Sequence, residues 1–232
     1  MKYKYIQEAV FLERPNRFIA YCQVGDHTET VHVKNTGRCR ELLVPGARVY
    51  LEKSSNPNRK TAYDLVTVET PFGPVNMDAG APNVIAGELL HAGAILPSPV
   101  LVRPEVRFGS SRLDFYAEND KERLFVEVKG VTLRQGACAV FPDAPTARGA
   151  KHMGELVQAV EQGYRAMALL IVQMGGCSVF RPNWDTDPNF CQALCRAQAA
   201  GVEVRAVDCR VTPQSVMANQ AIPVDLQAHK NC

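Results

Sequence analysis

Apolar and polar residues follow two different rhythms along this chain. From about residue 11 to residue 75, short runs of β-branched and aromatic residues are broken by turn formers. Residues 17–24, 28–33, 48–51 and 63–70 have the alternation of strands, with Gly25-Asp26, Pro45-Gly46 and Asn56-Pro57-Asn58 between them. So many short strands are most simply accommodated by a closed barrel, because closure removes exposed edges. An OB-type barrel is the first expectation, and a β-sandwich fragment fits the same periodicity. From about residue 80, helical and strand patterns alternate. Residues 83–93 predict a helix with Asn83 as N-cap and Gly93 at its end. Residues 113–117 and 124–128 predict a hairpin. A helix over 146–162 carries Met153, Leu156, Val157 and Val160 at i, i+3, i+4 and i+7. An apolar strand over 166–173, a short strand over 178–180, a helix over 188–200 and a strand over 202–207 follow, while the last twenty residues carry no clear period. The expected class is α+β: a barrel over 1–80 and a mixed α/β domain over 81–232.

The hairpin holds the most pointed chemistry. With its turn on Asp120 and Lys121, the register places Asp114 opposite Glu127, at about 5 Å between Cβ atoms. Glu127 and Lys129 share a face, whereas Val126 and Val128 point the other way. Two carboxylates so close repel, and a divalent cation that takes oxygen ligands would turn the repulsion into a site. Lys129 beside them suits orienting a water. A solvated charged face on an edge hairpin has the same pattern. Glu88, on the preceding helix, is a candidate third carboxylate. On the 146–162 helix, Arg148, Lys151, His152 and Glu155 form a second face: Arg148 and Lys151 suit phosphate neutralisation and His152 a hydrogen bond to phosphate, and a wet helix face is the plain alternative.

The formal charge of +2 excludes little, but its distribution is uneven. Between residues 34 and 60, seven cations (Lys34, Arg38, Arg40, Arg48, Lys53, Arg59, Lys60) face two acids (Glu41, Glu52), a surplus of five. A basic patch on a barrel fits phosphate contact, or a merely solvated surface. Within it, Asn35, Thr36 and Gly37 form a turn offering backbone amides and a hydroxyl, followed by Arg38, a combination suited to a phosphate backbone or to a tight turn capped by Asn35. Apolar content of 46% and charged content of 22% are those of a globular chain. Neither a secretory h-region nor a membrane-length apolar run is present, so a cytoplasmic protein with no membrane partner is expected. Eight cysteines, from Cys22 to Cys232, form no CxxC pair and are expected as buried thiols. Cys191 and Cys195 have the spacing of half a metal site that nothing completes.

Read in order, PNRFIAYC near residue 15, NTGR at Asn35–Arg38, ELLVPG at 41–46, PEVRFGSSRLDF at 104–115, EVKGVTL at 127–133, FPDAPTARGAKHM at 141–153 and GVEVRAV at 201–207 resemble the sugar fermentation stimulation protein A family of bacteria and archaea. Cys39 and Val33-Lys34 are local departures from its pattern. The resemblance implies an OB-like barrel and a C-terminal domain similar to PD-(D/E)XK nucleases. In that domain Asp114 matches the first acid, Glu127 and Lys129 the E-x-K, and Glu88 the helix-borne acid; Leu113 stands in place of the motif's proline. Family members are described as DNA-binding proteins tied to sugar-metabolism genes and as DNA/RNA nucleases. The expected function is therefore DNA binding with phosphodiester hydrolysis dependent on Mg²⁺ or Mn²⁺, metal ligands Asp114 and Glu127, partners DNA and RNA, and a homodimer if both strands are cut. A non-catalytic DNA-binding regulator of sugar-utilisation genes is the alternative, and a carbohydrate-binding barrel a third reading.

Overall fold

The computed structural model describes residues 1–227. Its first sheet comprises β1 (Ile6–Asn16), β2 (Ile19–Val24), β3 (His27–Val33), β4 (Arg48–Lys53), β5 (Tyr63–Thr70) and β6 (Gly73–Asn76), ordered β3-β2-β1-β4-β5-β6. A further β3–β5 pairing, parallel at His32↔Asp64 and Val33↔Leu65, closes five of these strands into a barrel. Two register shifts bend β1, so that its first half pairs with β4 and its second with β2. Phe11, Ala20, Cys22, Val31, Val49, Leu51, Leu65 and Val68 fill the interior.

The second region is layered. Strands β7 (Leu101–Phe108), β8 (Ser111–Glu118), β9 (Arg123–Val131), β12 (Arg165–Val172), β14 (Glu203–Thr212) and β15 (Ser215–Ile222) form one sheet, ordered β15-β14-β12-β9-β8-β7. β9, β12 and β14 run parallel, and hairpins extend both sides. A small sheet of β10 (Leu133–Gln135), β11 (Cys138–Phe141) and β13 (Val179–Pro182) stands apart. Helix α1 (Ala81–His91) covers one face of the large sheet; α2 (Ala147–Glu161) and α3 (Pro188–Ala199) cover the other. Strand alternation explains the sorting. In β12, Met167, Leu169 and Ile171 join the core under α1, while Ala166, Ala168, Leu170 and Val172 join the core under α2 and α3.

Three elements differ from the sequence expectation. The first helix begins at Ala81 with Gly80 as N-cap and Pro82 in its first turn, where a missing N–H is harmless. Asn83 therefore lies inside the helix and caps nothing. Edge strand β7 lacks a readable period because it mixes charge with apolar residues, and terminal strand β15 because it mixes uncharged polar with apolar residues. Cys22, Cys39, Cys177, Cys191 and Cys209 are buried free thiols and Cys195 a half-buried one; Cys138 is buried, and Cys232 lies outside the described residues.

A buried polar seam joins the barrel to the layered region. Gln173, just after β12, donates from Nε2 to Asn76 Oδ1 (2.9 Å) and to the Asp78 carbonyl (2.9 Å), and its carbonyl accepts from Asn76 N (2.9 Å). Asn76 donates to Tyr3 Oη (2.8 Å), and Lys34 Nζ pairs with the buried Asp78 Oδ2 at 2.6 Å. Gly130 lies against this seam: a Cβ there would approach Gln173 Oε1 to 2.5 Å and Pro82 Cγ to 2.7 Å. Its bare backbone lets α1 close onto the sheet directly beside Lys129.

Barrel closure has its own ionic clamp. Arg59 donates to both oxygens of Asp64 at 2.7 Å, and His32 Nδ1 meets Asp64 Oδ1 at 2.8 Å. Burial pushes the Asp64 carboxyl up, but Arg59, His32 and the charge of Lys34 outweigh it and hold the group below the usual carboxylate range. A carboxyl lowered by folding stabilises the fold above its unfolded pKa and loses that contribution as pH falls through the folded value. Asp64→Asn should thus destabilise the protein at pH 7 by roughly 2 kcal/mol, a fall in Tm of roughly 4–8 °C. In thermal melts across pH, the gap to the parent protein should stay constant above about pH 5 and narrow below about pH 4.

Candidate active site

β8 and β9 pair regularly from Glu118↔Arg123 to Phe115↔Val126. One step further, that register sets Asp114 opposite Glu127. There the backbone ladder gives way, and the Val128 amide donates to Asp114 Oδ2 at 2.7 Å. Asp114 Oδ1 accepts from Asn83 Nδ2 at 3.1 Å, so the first turn of α1 holds the other side of the carboxylate. Burial and the charge of Glu127 raise the Asp114 carboxyl, against the opposing pull of the Val128 amide, Lys129 and Asn83.

Glu127 is 2% exposed. Alternation along β9 turns it, with Lys129, toward α2. Its Oε1 contacts both Lys129 Nζ and His152 Nδ1. Its Oε2 is buried without a hydrogen-bond partner among the described residues. Arg148 Nε lies 3.4 Å from His152 Nε2. Because an arginine Nε always carries a proton, Nε2 must accept, which leaves Nδ1 as the protonated nitrogen that donates to Glu127. One helical turn on, the buried Glu155 accepts from Ser110 Oγ at 3.3 Å through Oε1, and its Oε2 is also unpartnered.

The structure brings Asp114, Glu127, Lys129, His152 and Arg148 together and separates others. Glu88 does not supply a third carboxylate: it is exposed and binds the amino group of Met1 at 3.1 Å. The α1 side chain that reaches Asp114 is Asn83, a turn nearer the helix start. No three His, Cys, Asp or Glu side chains converge as a ready metal cluster among the described residues. His152 is not a free phosphate donor, since both ring nitrogens are engaged within the protein. Lys151 is turned to solvent, while Arg148 lines a cleft of about 470 Å³ beside Asp114. That cleft also holds Arg107, Ser110, Ser111 and Arg112. Arg107 and Arg112 are direct cross-strand partners, a like-charge pairing that is ordinarily unfavourable. The R-F-G-S-S-R run at residues 107–112 is the sequence signal for this basic hairpin tip.

On the barrel, the NTGR loop is organised by Arg14, which belongs to no sequence motif. Its guanidinium donates to the carbonyls of Asn35 (2.7 Å), Gly37 (2.9 Å), Arg38 (2.9 Å) and Arg17 (2.7 Å). The Gly37 amide is not offered to a ligand, because Asn35 Oδ1 accepts it at 2.8 Å. Gly37 lies close to Asp143, in the segment leading to α2: a Cβ there would lie 2.7 Å from Asp143 Oδ2, so the Asp143 side chain would have to shift. What faces outward here is Thr36, Arg38, Arg40 and Arg17, around a cleft of about 400 Å³.

A five-stranded OB-like barrel joined to an α/β sheet with a carboxylate pair and a lysine on two adjacent strands defines the class. Residues 12–77 match the SfsA N-terminal OB domain, and residues 80–215 match the Sugar fermentation stimulation protein RE domain. The chain belongs to the sugar fermentation stimulation protein family. It is 44% identical over 226 residues to the Sugar fermentation stimulation protein homolog of Ruminiclostridium cellulolyticum, covering 97% of this chain and 100% of that protein. It is 45% identical over 235 residues to the homolog of Alkaliphilus oremlandii, covering 98% and 100%. Among solved structures, Pyrococcus furiosus SfsA in complex with Ca²⁺ superposes with a TM-score of 0.87 at 30% identity, covering 97% of this chain and 98% of that one.

A carboxyl raised by folding destabilises the fold above its folded pKa, and the penalty vanishes below its unfolded pKa. Asp114→Asn should therefore raise the Tm of the metal-free protein at pH 7 by roughly 2–4 °C. The gain should disappear as the pH drops below about 4, which melts in EDTA would measure.

Proposed function

We propose that this protein binds nucleic acid and hydrolyses its phosphodiester bonds with the help of a divalent cation. The observation that carries this reading is the unpartnered, buried Oε2 of Glu127 next to Asp114. A buried carboxylate oxygen left without a donor is costly, and a hard cation satisfies it. Asp114 and Glu127 are the ligands we assign, with the Val128 carbonyl as a further oxygen donor. Mg²⁺ or Mn²⁺ is the working ion. The Ca²⁺ held by the Pyrococcus furiosus relative is also a hard, oxygen-seeking cation. When bound, such an ion supplies Lewis-acid chemistry, neutralising phosphate charge and lowering the pKa of water.

The remaining work belongs to side chains. Lys129, held on Glu127 Oε1, is placed to orient the attacking water and to balance the negative charge that grows on the phosphate. His152 fixes the Glu127 carboxylate in one rotamer. Arg148 and Arg107 suit the phosphates on either side of the scissile bond, with Arg112, paired with Glu105 at 3.0 Å, at the rim of the same cleft. On the barrel, Thr36, Arg38 and Arg40 contribute backbone contacts away from the reacting phosphate. A regulator that only bound DNA would gain nothing from two carboxylates facing phosphate.

Cleavage should be measured on single- and double-stranded DNA and RNA with Mg²⁺, Mn²⁺ or EDTA. Cutting should require the metal and fall at least ~100-fold in Asp114→Ala and Lys129→Ala. Residual cutting equal in both variants and in the parent would mark a contaminant, and salt-sensitive binding without cutting would favour the DNA-binding regulator. In a separate titration of binding against salt, Arg38→Ala should weaken all sequences alike and reduce the slope of log K against log salt by about one. An unchanged slope would remove Arg38 from the interface.

A further inference from the structure

A second cleft, of about 430 Å³, opens where the barrel meets the start of α1. It is lined by Phe18, His32, Val33, Lys34, Thr36 and Val84 among others. Two of its polar residues are paired within the protein, Lys34 with Asp78 and His32 through Nδ1 with Asp64, which leaves Thr36 at its edge. What faces the opening is mostly apolar. Phe18 is 45% exposed, although its backbone is locked, its amide donating to Asn16 Oδ1 and its carbonyl accepting from Val33 N. With Val84, 43% exposed, it makes an apolar patch at the mouth of the cleft, the kind of surface that marks a contact site. The Arg17 guanidinium lies 4.8 Å from the ring centroid.

This apolar slot adjoins positive charge on one side and the carboxylates on the other. Thr36 lines both this cleft and the neighbouring one that contains Arg17, Arg38 and Arg40. Val84 lines the slot, and its neighbour Asn83 holds Asp114. The slot and the carboxylate pair therefore flank the same first turn of α1.

We infer that this slot receives an unpaired nucleobase stacked on Phe18, with adjacent phosphates on Arg17, Arg38 and Arg40, so that the protein selects single-stranded over duplex nucleic acid. The inference rests on the nucleic-acid reading above. Bases in a duplex are stacked face to face and offer only their edges, which require hydrogen-bonding side chains. An unpaired base offers a free π-face, which an aromatic ring beside cations binds without regard to sequence. The engaged polar residues of the slot leave stacking as its main resource.

The test uses fluorescence anisotropy with a labelled oligothymidylate and a labelled duplex of equal length, with EDTA or with Ca²⁺. Phe18→Ala should weaken oligothymidylate binding by about 5- to 150-fold, the equivalent of one stacked base. Its duplex affinity should stay within about twofold and its melting temperature should match the parent's, while Phe18→Trp should restore single-strand binding. Unchanged oligothymidylate affinity in Phe18→Ala, or equal losses for single strand and duplex, would overturn the slot and leave the broader reading standing. A parent protein that binds neither probe at low salt would overturn both.

Discussion

Glu127 is a charge carried out of water by the strand it belongs to, and much of the molecule is an answer to that burial. Its neighbours Val126 and Val128 anchor β9 in the core under α1, so the carboxylate cannot retreat to the surface without dismantling the sheet. An isolated carboxylate in such a place would simply protonate. Here Lys129 and the Nδ1–H of His152 meet one oxygen, and the other is left open beside Asp114. The half-satisfied state is informative. A site built only for stability would have closed both oxygens or replaced the acid with a hydrophobe. The raised Asp114 carboxyl has the same origin, since two acids in one desolvated pocket resist ionising together.

The second constraint is the seam at Gln173. Barrel and sheet share a continuous apolar cluster, but apolar contact is not directional and would tolerate sliding. The hydrogen bonds among Gln173, Asn76, Asp78, Tyr3 and Lys34 are directional and buried, and breaking one strands a polar group in the interior. They fix how the barrel meets the sheet that carries the carboxylates. Asp143 lies beside Gly37, so the NTGR loop also borders the segment that starts α2. The elements that hold Glu127 and those that form the basic surface of the barrel are thus parts of one frame.

The local chemistry was largely legible in the sequence and the tertiary assignments less so. Alternation in 113–117 and 124–128, with one turn between, was enough to oppose Asp114 and Glu127, because strand register follows from local geometry. The 146–162 helix was equally readable from its apolar stripe. Which charged side chains of that helix faced inward was not: Glu155 and His152 look like surface residues until the sheet covers them. Glu88 and Asn83 lie about a turn apart on one helix, and only the docking of α1 through Pro82 and Gly130 decides that the amide reaches Asp114. Arg14 belongs to no motif because its partners are backbone carbonyls, which any sequence would supply. The edge strands β7 and β15 escaped notice since a solvent-facing edge needs no strict alternation.

The hold of Arg14 on the NTGR loop sets the polarity of that loop's outer surface. Within each planar peptide unit the N–H points opposite to the C=O. Gathering the carbonyls of Asn35 and Gly37 onto one guanidinium therefore turns the amide hydrogens of Thr36 and Arg38 outward. The negative ends of these dipoles are neutralised inside, and their positive ends form the rim. A surface of this kind has a built-in electric direction that comes from the backbone rather than from mobile side chains.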